Sequence, residues 1–193
     1  HMVFSGNPGT GKTTVANIAA KISNRPLYKL NATNASVSDI KAIVKESEGL
    51  LGQEGVLLYL DEIQNFNKKQ QQSLLEYTEN GRITLIASTT ENPYFYVYNA
   101  ILSRSTVFEF RPLKTEDIKQ VLVRALGIIE KEIGEDSIES DADFLSLLAE
   151  RSGGDVRRAL NSLELAVGYT PPESDGKLHL TADTVEQCTQ KKI

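Results

Sequence analysis

The run GNPGTGKT, Gly6 to Thr13, places glycines at 6, 9 and 11 and closes on a Lys-Thr pair. Its pattern is G-x-x-x-x-G-K-[ST], and the chemistry of that pattern is phosphate binding. The glycines let the backbone curl until several N–H groups point at phosphate oxygens. Lys12 then reaches the β- and γ-phosphates, and Thr13 offers its hydroxyl to Mg²⁺. Asn7, Pro8, Thr10 and Thr14 complete the candidate loop. Two acids, Asp61 and Glu62, follow the apolar run VLLYL. Asp61 is placed to hold the same Mg²⁺ beside Thr13. Glu62, expected on the other face of the strand end, can orient or activate a water against the γ-phosphate. Thr90, after the run ITLIAST, can hold that water with its hydroxyl, whereas Thr89 reads more simply as a β-branched strand residue. Asn31 ends LYKL. Its amide can pair with Glu62 and keep it from the water until a ligand arrives, or it is a plain strand-end asparagine.

These residues need a sheet to present them. Val3 and Phe4 read as the end of a buried strand. Val15, Ile18, Ala19 and Ile22 recur at i, i+3, i+4 and i+7, the period of an amphipathic helix. Its N-terminus follows the loop directly and adds its dipole to the anion site. Leu27 to Leu30 is a short strand, and Val37, Ile40, Ile43 and Val44 mark a helix. Val56 to Leu60 is a continuous apolar run, as for a strand covered on both faces. Residues 68 to 79 are a polar helix holding Leu74 and Leu75. Ile83 to Thr89 and Thr106 to Phe110 are two more strands. Strands alternating with helices imply a parallel sheet with right-handed crossovers, whose ligands bind at the carboxyl ends of the strands.

After Pro112 the period is 3.6 throughout. Ile118, Val121, Leu122, Ala125, Leu126 and Ile129 make one helix stripe, with Thr115 as its N-cap and Glu116 and Asp117 in the first turn. Phe144, Leu147 and Leu148 mark a second helix, and Val156, Ala159, Leu160 and Leu163 a third. The loop TPPESDGK leads to a last helix near Ala182 to Gln190. The predicted fold class is α/β, a P-loop parallel sheet over residues 1–112 joined to a small C-terminal all-helical lid domain over residues 113–193.

The 193 residues carry a net charge of -5, 40% hydrophobic and 24% charged residues, an ordinary globular composition. The acidic total argues against a broad nucleic-acid face and leaves room for a local basic patch. The polar run NKKQQQ, residues 67 to 72, can contact DNA, although a solvated helix face is the simpler reading. The single cysteine, Cys188, excludes an intramolecular disulfide and fits a reducing, cytoplasmic setting. No apolar run is long enough to span a membrane. His1-Met2 reads as an expression-vector scar and is set aside from the fold argument.

The order GNPGTGKT, LLYLDEI, STTENP, AILSRS resembles the AAA+ ATPases, in particular the clamp-loader-like branch. DEIQNFNKKQQQSLL, STTENPYFYVYNAILSRS and SGGDVRRALNSLE resemble more closely the RarA/MgsA family of replication-associated recombination factors, whose eukaryotic relative is the Werner-helicase-interacting protein. The resemblance implies Mg²⁺-dependent ATP binding and hydrolysis, with ATP or ADP as the bound nucleotide. It implies that Lys12 and Thr13 are the Walker A pair, Asp61 and Glu62 the Walker B pair, and Thr90 the first sensor. Arg104, fourteen residues after Thr90, then matches an arginine finger acting on a neighbouring subunit's nucleotide. Arg157, with Arg158 as its rival by one residue, matches a lid arginine that touches the γ-phosphate. Work on DNA at stalled replication forks is implied too, on forked or single-strand/double-strand junctions. So are self-association and proximity to replication proteins such as single-strand-binding protein. A clamp-loader or Holliday-junction motor subunit, or an assembly module with little turnover, are the alternatives. Such proteins carry a segment before the first strand and a C-terminal oligomerisation region; without these, the chain alone is expected to be monomeric and a slow ATPase.

Overall fold

Apolar runs of strand length and amphipathic runs of helix length alternate from Met2 to Phe110, and the structure follows them closely. It is a computed structural model that describes residues 1–50 and 55–190; residues 191–193, counted above in the helical domain, lie outside the described residues. The chain divides into two units, His1–Asn7 with Gly11–Phe110, and Pro8–Thr10 with the residues from Arg111 onward.

The first unit holds five strands: β1 (Met2–Gly6), β2 (Leu27–Asn31), β3 (Val56–Asp61), β4 (Ile83–Thr89) and β5 (Thr106–Phe110). All neighbours pair parallel, in the order β2-β3-β4-β1-β5. β1 lies between β4 and β5, with Val3 and Phe4 buried in the clusters on opposite faces of the sheet. Met2 belongs to this strand, paired with Ile86 and Thr106, and the His1 ring accepts the Leu85 N–H at 3.1 Å. Met2, set aside above with His1, is therefore part of the sheet. Alternate side chains of β3 and β4 feed two clusters. Leu58, Leu60, Leu85 and Ala87 pack with Ile40, Ile43, Val44 and Leu74 on one face. Leu57, Tyr59 and Ile86 pack with Phe4 and Ala16 on the other. Each fully buried aliphatic side chain contributes roughly 1.5–3 kcal/mol, so the central strands are held far more firmly than the half-exposed edge strand β5.

The connecting helices are α1 (Lys12–Ser23), α2 (Val37–Leu50), α3 (Lys68–Glu79), and two single-turn helices, α4 (Pro93–Tyr96) and α5 (Asn99–Leu102). α1 corrects the sequence reading in one respect. Its buried face is Ala16 and Ala20, whereas Val15, Ile18 and Ile22 are 40%, 50% and 82% exposed. Alanines let a helix approach a sheet closely, and here that outweighs the larger apolar stripe turned away from it.

The second unit contains α6 (Thr115–Ile133), α7 (Phe144–Arg151), α8 (Val156–Tyr169) and α9 (Ala182–Gln190). Ile118, Leu122, Phe144, Leu148, Leu163 and Val185 form its core. Thr115 is the first residue of α6 and Lys114 takes the N-cap position, without a side-chain cap bond. The unit is helical with one addition, a parallel ribbon of β6 (Ile138–Ser140) and β7 (Leu178–Leu180). Runs of three residues carry too little alternation to be seen in sequence.

Candidate active site

The carboxyl ends of β1, β3 and β4 bring together most of the predicted residues. Gly6 ends β1 with φ at 148°, and a Cβ there would lie 2.1 Å from the Phe110 carbonyl oxygen, so the turn out of the strand admits no side chain. α1 starts at Lys12 with Gly11 in the left-handed region, no side-chain cap and no acid in its first turn. The positive end of its dipole thus faces the loop with no acidic side chain of its own first turn to offset it. Lys12 is 8% exposed, and its ammonium donates to the carbonyls of Gly6 at 2.7 Å and Asn7 at 2.8 Å. The side chain is curled over the loop it serves. Pro8, Gly9 and Thr10 group with the second unit, where the Val156 N–H donates to the Gly9 carbonyl at 3.1 Å. Thr14 is exposed.

Thr13, Asp61 and Ser88 meet around a residue that sequence reasoning passed over, Tyr59. Its hydroxyl lies 3.1 Å from Thr13 Oγ1, 3.2 Å from Asp61 Oδ1 and 3.0 Å from Ser88 Oγ. Ser88 also donates to Asp61. Burial pushes the Tyr59 phenol up, so it stays protonated and donates. Tyr59 and Asp61 are two apart on one strand and so share a face; that spacing was the available signal, hidden inside an apolar run. A carboxylate and hydroxyl oxygens with no nitrogen or sulfur are the donors a hard cation prefers. The residues present therefore fit Mg²⁺, with Thr13 and Asp61 as the groups that would hold it.

Glu62 does not continue the strand. It sits in the left-handed region, φ 55° and ψ 48°, a conformation that costs a non-glycine residue roughly 1–2 kcal/mol. In an extended strand it would point away from the Asp61 side; the turn instead directs both carboxylates to hydroxyls at the end of β4, Asp61 to Ser88 and Glu62 to Thr90. Thr90 Oγ1 donates to Glu62 Oε2 at 3.2 Å, and the Gln64 amide donates to the same oxygen. Gln64 Oε1 is buried without a hydrogen-bond partner, an acceptor still open to a donor. The expected pairing of Asn31 with Glu62 is not what the structure holds. Asn31 Oδ1 accepts the N–H of Thr33 at 2.8 Å, closing its own turn, and Gln64 takes the place beside Glu62. Thr89 is fully buried and accepts the Glu91 N–H.

Arg104 lies apart from this cluster, at the end of α5. It pairs with Glu79 at 2.8 Å and donates to the Ala100 carbonyl at 3.1 Å, with about half of each paired side chain exposed. Arg157 and Arg158 are both exposed in the first turn of α8, which Asp155 caps by accepting the Arg158 N–H. Together with Asn161 and Leu165 they line a cavity of about 390 Å³.

Comparison with known proteins follows the same lines. The model of the AAA family, ATPases associated with various cellular activities, matches residues 2–113, and that of the AAA C-terminal domain matches residues 134–193. Replication-associated recombination protein A of Bacillus subtilis (strain 168) is 43% identical over 191 residues, 99% of this chain and 45% of its own length. The protein of the same name from Escherichia coli (strain K12) is 37% identical over 192 residues, 99% of this chain and 43% of its own. The chain thus spans less than half the length of these relatives. The Thermotoga maritima RuvB Holliday junction branch migration motor superposes with a TM-score of 0.76 at 21% identity, over 98% of this chain and 61% of that one, a likeness of fold alone. The sheet order, the family models and the identity sustained across the chain agree: it belongs to the AAA ATPases and, among them, to the RarA/MgsA family.

Proposed function

We propose that the chain binds MgATP and hydrolyses it, as the motor module of a protein that remodels DNA at stalled replication forks. The observation that carries the hydrolytic part is the left-handed turn at Glu62, which sets its carboxylate between Thr90 and Gln64 rather than continuing the strand. Strain of this kind persists where the surroundings enforce it, and it concentrates at functional sites. In this reading Lys12 and the first N–H groups of α1 bind the β- and γ-phosphates. Thr13 and Asp61 hold Mg²⁺, which when bound offsets charge on the phosphate oxygens. Glu62 accepts a proton from the water whose oxygen attacks the γ-phosphate, and Thr90 orients that water. Arg104 is the cation supplied to a neighbouring copy's nucleotide. The DNA-directed part rests on the replication-associated recombination proteins, and a RuvB-like or clamp-loader job gains no separate support from a likeness of fold.

A paired substitution tests the site. Lys12→Ala abolishes binding of a fluorescent ATP analogue. Glu62→Gln leaves that binding in place and slows turnover by about 10²-fold or more, as for a lost general base. Analogue binding by Lys12→Ala equal to that of the unaltered chain would refute the phosphate site, and unchanged turnover in Glu62→Gln would refute the base.

A further inference from the structure

The N-terminal end of α3 takes no part in the nucleotide cluster. Next to it the chain displays three consecutive aromatic side chains on α4, Tyr94, Phe95 and Tyr96, which are 67%, 83% and 51% exposed. Their backbone is fixed. Gln71 of α3 is buried and donates to the carbonyls of Phe66 at 2.9 Å and Tyr96 at 3.0 Å, while its own carbonyl accepts the Tyr98 N–H at 2.8 Å. Asn92 caps the turn by accepting the Tyr94 N–H, and Val97 is buried. The three residues line a cavity of about 430 Å³ together with Lys68. Lys68 Nζ stands 5.5 Å from the centroid of the Tyr98 ring, and Lys69 follows it on the exposed surface.

We propose that this patch is a binding site for single-stranded nucleic acid, with bases stacked on Tyr94, Phe95 and Tyr96 and backbone phosphates on Lys68 and Lys69. The proposal deepens the DNA-directed reading above and rests on it. Exposed rings next to cations recognise the two things every single strand offers, an aromatic base face and a phosphate. A duplex hides its base faces, so exposed rings favour unpaired strands. The exposed part of the patch is aromatic and cationic, without the aliphatic centre of an apolar protein interface. Its lysines also lie at the opposite end of α3 from the residue that holds the arginine expected to face a neighbouring copy. Arg104 pairs with Glu79, at the other end of α3 from Lys68. Eleven residues of helix separate the two ends, about 16 Å. An acidic chain can bind a polyanion here because the lysines are concentrated at one helix end, where the dipole adds to their field.

Fluorescence anisotropy of a labelled oligo(dT), long enough at about 20 nucleotides to cover such a site, tests the proposal. Phe95→Ala weakens binding by about 5- to 150-fold, the range for one lost stacking platform. Phe95→Leu, which keeps an apolar side chain but no aromatic face, loses nearly as much. Lys68→Ala lowers the slope of log affinity against log salt by about 0.7, one phosphate contact on a single strand. All three variants bind the ATP analogue as the unaltered chain does. If the unaltered chain binds oligo(dT) and both Phe95 variants bind it equally well, the patch is not the site, while the DNA-directed reading stands. If the unaltered chain binds neither oligo(dT) nor a forked duplex, that reading falls and the proposal with it. Undiminished oligo(dT) binding together with lost self-association in sedimentation would make the patch a protein interface and overturn the proposal.

Discussion

Tyr59 couples two groups that the proposed MgATP site needs at fixed separation. Its hydroxyl shares a hydrogen bond with Thr13 on α1 and donates to Asp61 on β3, and Ser88 on β4 supports the same carboxylate. Partners behind a metal-binding group set its orientation, and their loss typically costs 10- to 100-fold in metal affinity. Tyr59→Phe keeps the ring in its buried cluster and removes only the hydroxyl. It should raise the Mg²⁺ concentration needed for half-maximal binding of the ATP analogue by about tenfold or more. Binding measured with excess EDTA should barely change. Identical Mg²⁺ titrations for the variant and the unaltered chain would reduce Tyr59 to a packing residue. Glu62 makes a complementary point at this scale: an acid after a strand is ordinary in sequence, and its left-handed backbone is what distinguishes it.

At the scale of elements, the ribbon in the second unit is tied by His179. Its Nε2 is 2.9 Å from Asp175 Oδ2, and Nδ1 is 3.9 Å from the Glu139 carboxylate. The hydrogen bond to Asp175 raises the His179 pKa most; burial opposes it, and the charges of Asp175, Glu173 and Glu139 add to the rise. The bonds from the Lys177 backbone and from His179 lower that of Asp175. A raised histidine stabilises the fold fully below its unfolded value, and the contribution is lost as pH rises through the folded value. A lowered aspartate contributes above its unfolded value and is lost as pH falls through the folded one. The pair therefore supports the ribbon best between the ordinary carboxylate and histidine ranges and weakens from the histidine range upward. His179→Gln should flatten the fall of the thermal midpoint across that upper window, and parallel midpoint-against-pH curves would show that the pair carries no stability. α1 gives the other element-scale lesson, since its two buried alanines and not its larger apolar stripe decide which face meets the sheet.

At the scale of the whole molecule, Arg104 is held by Glu79 in an exposed pair of the kind worth only about 0–1 kcal/mol. In the proposed role the guanidinium would leave this weak tie for a partner's phosphate, where an arginine is worth roughly 10³- to 10⁵-fold in rate. An assembly in which each copy completes its neighbour's site has a specific signature. Arg104→Ala copies still bind ATP, and Lys12→Ala copies still offer the arginine. In the complete, assembling protein, mixtures of the two should turn over ATP faster than the sum of the variants measured separately. Assemblies that demonstrably mix yet never exceed that sum would rule out action between copies.

The loop GNPGTGKT, the acid pair after VLLYL, the five strands and the main helices are legible in the amino-acid order, because each is encoded within a few neighbouring residues. Period 2 or 3.6, glycine placement and apolar run length are local quantities. The resemblance carried by TTENP and SRS then named the family before any contact was known. Folding in three dimensions is what joins Tyr59 to Thr13, 46 residues away, and to Ser88, 29 residues away. It also decided that Gln64, not Asn31, stands beside Glu62, and that Lys68 lies among rings contributed by residues 94 to 98. Those pairings depend on the register between parallel strands and on one left-handed residue. A shift of one position would turn Tyr59, Asp61 or Ser88 to the opposite face, so their cluster exists only once the sheet has closed.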